Sequence, residues 1–154
     1  MIKARACEIL KEREFVSIAT CDFSGRPNAA SKFILKVEGD FIYLVDYVIG
    51  RTYANLTINP HASLSFVDTS TLKGYQINGM VEVINKGQEY NKLIEDLRQK
   101  EIELSIQRIV EGVYKGKSHS AYEVATTDKS VFFKVKINEV VEMGMSGILK
   151  REKL

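Results

Sequence analysis

Hydrophobic and polar residues recur along this chain with only two periods, and each period points to one kind of element. Ile2, Ala6, Ile9 and Leu10 follow helical spacing, with Lys3, Arg5, Glu8, Lys11 and Glu12 between them, which predicts an opening amphipathic helix over Ile2 to Arg13. FVSIATC and NAASKFILKV then flank the tetrad Ser24-Gly25-Arg26-Pro27, which predicts a β-hairpin. After Glu38-Gly39-Asp40, the continuous aromatic and β-branched run FIYLVDY suits a strand buried on both faces. TYANLTIN reads as a short helix, with Thr52 as its N-cap and Asn59-Pro60 as its stop.

Two further strands follow, ASLSFVD and Gly74 to Ile84, both alternating apolar with polar residues. From Gln88 to about Val113 the sequence is charged and helix-favouring. Its apolar stripe of Tyr90, Leu93, Ile94 and Leu97 loses phase near Glu101 and resumes at Ile102, Ile106, Ile109 and Val113, which predicts a kinked helix or two helices. YKGKSHSAYEVATTDKS is short of large apolar residues and is expected to be a mobile crossing segment. SVFFKVKINEVVEM supplies a final long strand, and the tail GMSGILKREKL is expected to be loose. This order, mostly strands with one helix inside the series and one before the last strand, predicts an antiparallel barrel with α additions. With no internal repeat or low-complexity linker, residues 1–154 are expected to form one domain.

Composition narrows the function. The chain is 45% hydrophobic and 27% charged, and 22 basic against 20 acidic residues leave a net charge of +2, too weak a field for general nucleic-acid binding. No run approaches the roughly 20 apolar residues of a membrane span, and the N-terminal segment lacks a signal peptide's apolar stretch. Cys7 and Cys21 stand far apart with no CxxC, which argues against a disulfide framework or a zinc site and fits a reducing cytoplasm.

The segment richest in chemistry is Ile49-Gly50-Arg51-Thr52-Tyr53-Ala54-Asn55-Leu56. A helix start offers unpaired N–H groups and partial positive charge, Gly50 permits close backbone approach, and Arg51 brings a planar fork of donors. Together they read as a phosphate cradle, with Thr52 either donating its hydroxyl or merely capping the helix. Alternation puts Ser31 and Phe33 on one strand face and Lys32 and Ile34 on the other. Lys32 in this apolar strand reads either as an edge-strand lysine or as a cation aimed at an anionic ligand. Gln76 and Asn78 could contact a heterocycle edge or simply form a polar outer face. His61 and His119 assemble into no Ser-His-Asp or Cys-His arrangement, and Asp22 and Asp68 suit turns.

From Phe15 to Ile84 the ordered combination of FVSIATCDFSGRPNAASKFILKV, DFIYLVD, GRTYANLTINPHASLSFVD and YQINGMVEVI resembles the pyridoxamine 5'-phosphate oxidase-like, FMN-binding split β-barrel flavoproteins. The resemblance implies a mainly β fold, an antiparallel six-stranded split β-barrel with flanking helices. It also implies a homodimer with FMN at the subunit interface. By the same analogy Arg51 and Thr52, beside Gly50, would bind the FMN phosphate with Lys32 assisting. Ser31, Lys32, Phe33 and Ile34 would line the isoalloxazine through backbone groups, Gln76 would reach the ring, and Tyr47 and Asn55 are further candidates.

The chain departs from true pyridoxamine phosphate oxidases, which resemble one another in a C-terminal element with tryptophan, arginine and proline. It has no tryptophan, and its only prolines are Pro27 and Pro60, so vitamin B6 oxidase activity is not expected. The expectation is a cytoplasmic flavoprotein passing electrons from a reduced nicotinamide to a small acceptor, with no catalytic side chain and no metal. The alternatives are a non-catalytic flavin carrier or sensor, or a member of the same fold that binds deazaflavin or haem.

Overall fold

The computed structural model describes residues 1–114 and 130–154. His119 and all but the end residues of the expected crossing segment lie outside the described residues. The elements run α1 (Ile2–Lys11), β1 (Phe15–Cys21), β2 (Pro27–Glu38), β3 (Phe41–Asp46), α2 (Arg51–Ile58), β4 (His61–Asp68), β5 (Lys73–Ile84), α3 (Gln88–Tyr114), β6 (Val131–Met143) and β7 (Leu149–Lys153). The sheet order is β3-β2-β1-β4-β5-β6-β7, and β3 also pairs with β6. That last pairing closes six antiparallel strands into a barrel.

Local chemistry explains the hairpin. The Asp22 carboxylate accepts the N–H groups of Ser24 and Arg26, both at 2.9 Å, and Gly25 turns the chain at φ 78°, which a residue without Cβ adopts freely. β1 and β2 then pair from Cys21↔Pro27 to Phe15↔Phe33. Alternation along the strands sends Val16, Ile18, Ile34, Ile42, Leu44, Leu64, Tyr75, Ile77 and Phe133 into one core inside the barrel. Full burial of each such side chain contributes about 1.5–3 kcal/mol. α1 adds Ala6, Cys7 and Leu10 to this core. A second cluster, with Phe33, Leu35, Tyr43, Val45 and Phe132, lies on the outer face of β2, β3 and β6, where Leu93 and Leu97 of α3 cover it. β3 is therefore buried on both faces, as its sequence predicts.

Two expectations need correction. The tail is not loose: Leu149–Lys153 forms β7, paired with Glu139–Met143 of β6. β3 pairs with β6 only over Val131–Lys136, so the other half of that edge is open, and β7 takes it. The Lys3 N–H donates to Glu152 Oε2 at 3.0 Å and ties the strand to α1. The long helical stretch is also one helix, α3, which overturns the two-helix alternative.

Candidate functional site

β2 is longer than its partner. β3 pairs with it only from Phe33↔Val45 to Glu38↔Phe41, whereas β1 pairs with it from Pro27 to Phe33. Residues 27–32 of β2 therefore have a strand neighbour on one side only, and their other backbone edge is open where β3 ends at Asp46. The chain beyond Asp46 leads into α2.

At the start of α2 the N-cap is Gly50, with no side-chain cap. This corrects the reading of Thr52 as the cap: Thr52 sits inside the first turn, buried, and its Oγ1 accepts a hydrogen bond from Asn28 Nδ2 at 3.1 Å. Position in the turn explains the difference, since a cap residue must lie outside helical φ/ψ and Thr52 is already within it. A first turn without a side-chain cap leaves its N–H groups available to an anion. Arg51 is exposed, and its guanidinium has no ion pair among the described residues. Asn55, also buried, donates through Nδ2 to Thr20 Oγ1 at 3.1 Å and holds α2 against β1. Beside this helix start an open depression of about 450 Å³ is lined by Ile49, Tyr53, Asn85, Lys86, Tyr90 and Val131, among others. That volume falls in the range of small-molecule sites.

Lys32 already has a partner within the fold. Its backbone belongs to the stretch of β2 that β3 leaves unpaired, and its side chain lies on the barrel-facing side with Val16 and Ile34. Its Nζ meets Asp46 Oδ1 at 2.5 Å, with the Asp46 side chain fully buried. Asp46 Oδ2 is buried without a hydrogen-bond partner among the described residues. Asp46 and Asn28 are the residues that sequence reasoning missed. The available signal was an aspartate ending an otherwise apolar strand.

The remaining candidates are engaged elsewhere in the fold. The Tyr47 hydroxyl donates to Glu101 Oε1 of α3 at 2.7 Å; burial, then that bond and the carboxylate's charge, push its pKa well above the ordinary tyrosine value. Gln76 Nε2 donates to Ser63 Oγ and Asn78 Oδ1, both at 3.1 Å, on the outer face of the sheet. Lys100 of α3 donates to the carbonyls of Ile34 and Leu35, at 2.6 and 2.9 Å, where β2 bulges against β3. Burial lowers the pKa of that lysine. The structure thus brings Thr52, in the first turn of α2 after Gly50 and Arg51, against Asn28 in the stretch of β2 that β3 leaves unpaired. It sets Tyr47 and Gln76 on two outer surfaces of the barrel. Among the described residues no group of three His, Cys, Asp or Glu side chains is placed to hold a metal ion.

The profile of the pyridoxamine 5'-phosphate oxidase family matches residues 2–143. The chain belongs to that family. Solved structures share its fold at low identity. A Clostridium acetobutylicum protein related to general stress protein 26 of B. subtilis (pyridoxinephosphate oxidase family) is 16% identical, with a TM-score of 0.66 over 100% of this chain and 96% of its own. A pyridoxamine 5'-phosphate oxidase-related, FMN binding protein of Nostoc punctiforme is 13% identical, with a TM-score of 0.58 over 97% of this chain and 92% of its own. A heme binding protein from Mycobacterium smegmatis is 16% identical, with a TM-score of 0.65 over 99% of this chain and 58% of its own. No curated protein matches the sequence.

Proposed function

We propose that this member of the family is an FMN-binding oxidoreductase, working as a cytoplasmic homodimer with flavin at the subunit seam. It would pass electrons from a reduced nicotinamide to a small acceptor. The observation that carries this reading is the open edge of β2 beside a helix start that has no side-chain cap and an exposed arginine. These residues fit the group: first-turn N–H groups and the Arg51 fork suit a phosphate, and open strand backbone suits the polar edge of a flat ring.

In this reading Arg51 and the α2 backbone hold the phosphate, Gly50 lets it approach, and the Thr52 hydroxyl, set by Asn28, lies within the same turn. The backbone from Ser31 to Ile34 orients the ring. Lys32 keeps Asp46 neutralised behind that backbone, while Asn55 and Tyr47 fix α2 and the loop before it. Gln76 would have to leave Ser63 and Asn78 to reach the ring. FMN, when bound, supplies the hydride and electron transfer, and the protein orients it and excludes water. The absence of tryptophan supports a substrate other than pyridoxamine phosphate.

The test is the visible spectrum of the purified protein before and after FMN and then NADH or NADPH under argon. A bound flavin that bleaches supports the reading. A bound flavin that does not bleach leaves a carrier or sensor, and no binding after addition overturns it and turns the search to deazaflavin or haem.

A further inference from the structure

A second cavity borders the end of α2 away from the phosphate cradle. It holds about 430 Å³ and is lined by Cys21 of β1, Asn59 after α2, His61 and Ser63 of β4, Asn78 of β5 and Asn138 of β6, among others. α2 rises about 12 Å over its length, so the two sites stand at opposite ends of the helix. Strand register explains the lining. β1 and β4 pair at Ser17↔Ser65 and Ala19↔Ser63, and two residues further along each strand Cys21 comes opposite His61 on the same outer face, a pair that their separation in sequence hides. The ladder opens there because the Asn59 carboxamide lies between the strands: it accepts the His61 N–H at 3.2 Å and donates to the Cys21 carbonyl at 3.5 Å. Both backbones are thereby held while the space between the side chains stays open. Across β5, Asn78 pairs with Glu139 and Gly79 with Ile137, which leaves Asn138 as the extra residue of a bulge on the same cavity.

Most polar side chains of the lining are already satisfied. Thr20 Oγ1 accepts from Asn55, Ser63 donates to Asn78, and Asn78 donates to Glu139. The Cys21 thiol, the His61 imidazole and the Asn138 carboxamide bond to no other described residue. Among the described residues no lysine, arginine or carboxylate lines the cavity, so it suits a neutral ligand. A nucleophile, a proton carrier and a hydrogen-bond donor, from three strands, thus stand free around one neutral space.

We propose that this cavity is a covalent site for small neutral α,β-unsaturated carbonyl compounds. The Cys21 sulfur adds to the β-carbon, and the alkene π pair moves onto the carbonyl oxygen, to which Asn138 Nδ2 donates. His61 takes the thiol proton and delivers it to the α-carbon as the carbonyl re-forms. One S–C and one C–H bond replace the S–H bond and the C=C π bond. The addition needs no oxidant, reductant or leaving group.

The inference does not rest on the flavin reading. Peptide mass mapping of the full chain, with N-ethylmaleimide and iodoacetamide as paired probes, tests it. The first develops an enolate oxygen as it reacts, and the second does not. Cys21 should react with N-ethylmaleimide about tenfold or more faster than the same thiol in the urea-unfolded chain, with the buried Cys7 unlabelled in the native protein. His61→Gln, at an exposed position, should slow both reagents about tenfold or more. Asn138→Ala should slow N-ethylmaleimide by about the same factor and leave iodoacetamide unchanged, which also shows that thiol and cavity are intact. A Cys21 no faster than in the unfolded chain overturns the proposal. So does His61→Gln with both rates unchanged, or Asn138→Ala that slows both reagents equally or neither.

Discussion

Lys32 Nζ lies 2.5 Å from Asp46 Oδ1 inside the barrel, and this pair ties the end of β3 to the part of β2 that β3 no longer pairs with. A lysine and an aspartate in a dry interior are each costly alone and tolerable together. Replacing Lys32 by Met should therefore destabilise the protein by about 3–5 kcal/mol, the range for leaving a buried charge unpaired. Lys32→Met combined with Asp46→Leu should recover most of the loss. Urea unfolding of the three proteins checks this, and a single variant as stable as wild type would refute it.

Arg51→Ala should weaken FMN binding by roughly ten- to a hundredfold, because a charge-assisted phosphate contact contributes about 1.5–3 kcal/mol. Thr52→Val should add a stability loss of about 1 kcal/mol, since it strands the amide of Asn28. Fluorescence titration with FMN separates the two effects. Unchanged affinity in Arg51→Ala would remove the phosphate assignment.

Stability should fall in acid, with Glu142 and Asp68 contributing. Burial on its own would raise the Glu142 pKa, but hydrogen bonds from Lys73 and Tyr75 outweigh it and hold the carboxyl below its ordinary 4.5. The hydroxyls of Thr71 and Ser70 hold Asp68 down to about 2. A depressed folded value means the native state binds fewer protons than the unfolded one, so the stabilisation is full above the ordinary carboxyl range and is lost as pH falls through the folded values. The thermal midpoint should stay level down to about pH 5 and then decline. Glu142→Gln should be less stable at neutral pH and show a shallower decline.

Gly79→Ala should destabilise by about 1–3 kcal/mol, the usual cost of overpacking. A Cβ there would stand 2.2 Å from the Lys136 carbonyl oxygen, at the register shift where β5 passes β6. The effect should appear as a lower thermal midpoint with flavin binding preserved.

Much of this fold is legible in the sequence because its signals are local. Gly25 with Asp22 makes the first turn from within five residues, and the alternation from Ala62 to Phe66 marks β4 without reference to any partner. The order Gly50-Arg51-Thr52 before a short helix likewise marks a helix start able to receive a phosphate. β7 was not legible: LKREK has neither buried face nor apolar alternation, and it is a strand only because β3 leaves half of β6 unpaired.

The sequence by itself determined the periods, and therefore which segments became strands, which became helices and which face of each was apolar. It also determined the small set of residues able to meet an anion. Tertiary structure decided who meets whom. It gave Lys32 a buried aspartate in place of solvent, turned Thr52 inward to Asn28, and kept α3 one unbroken helix whose second stripe is exposed. The reason is physical: periodicity is a property of neighbours along the chain, whereas the partner of a buried charge or an apolar stripe is chosen by strand register and helix rotation, which only the closed barrel fixes.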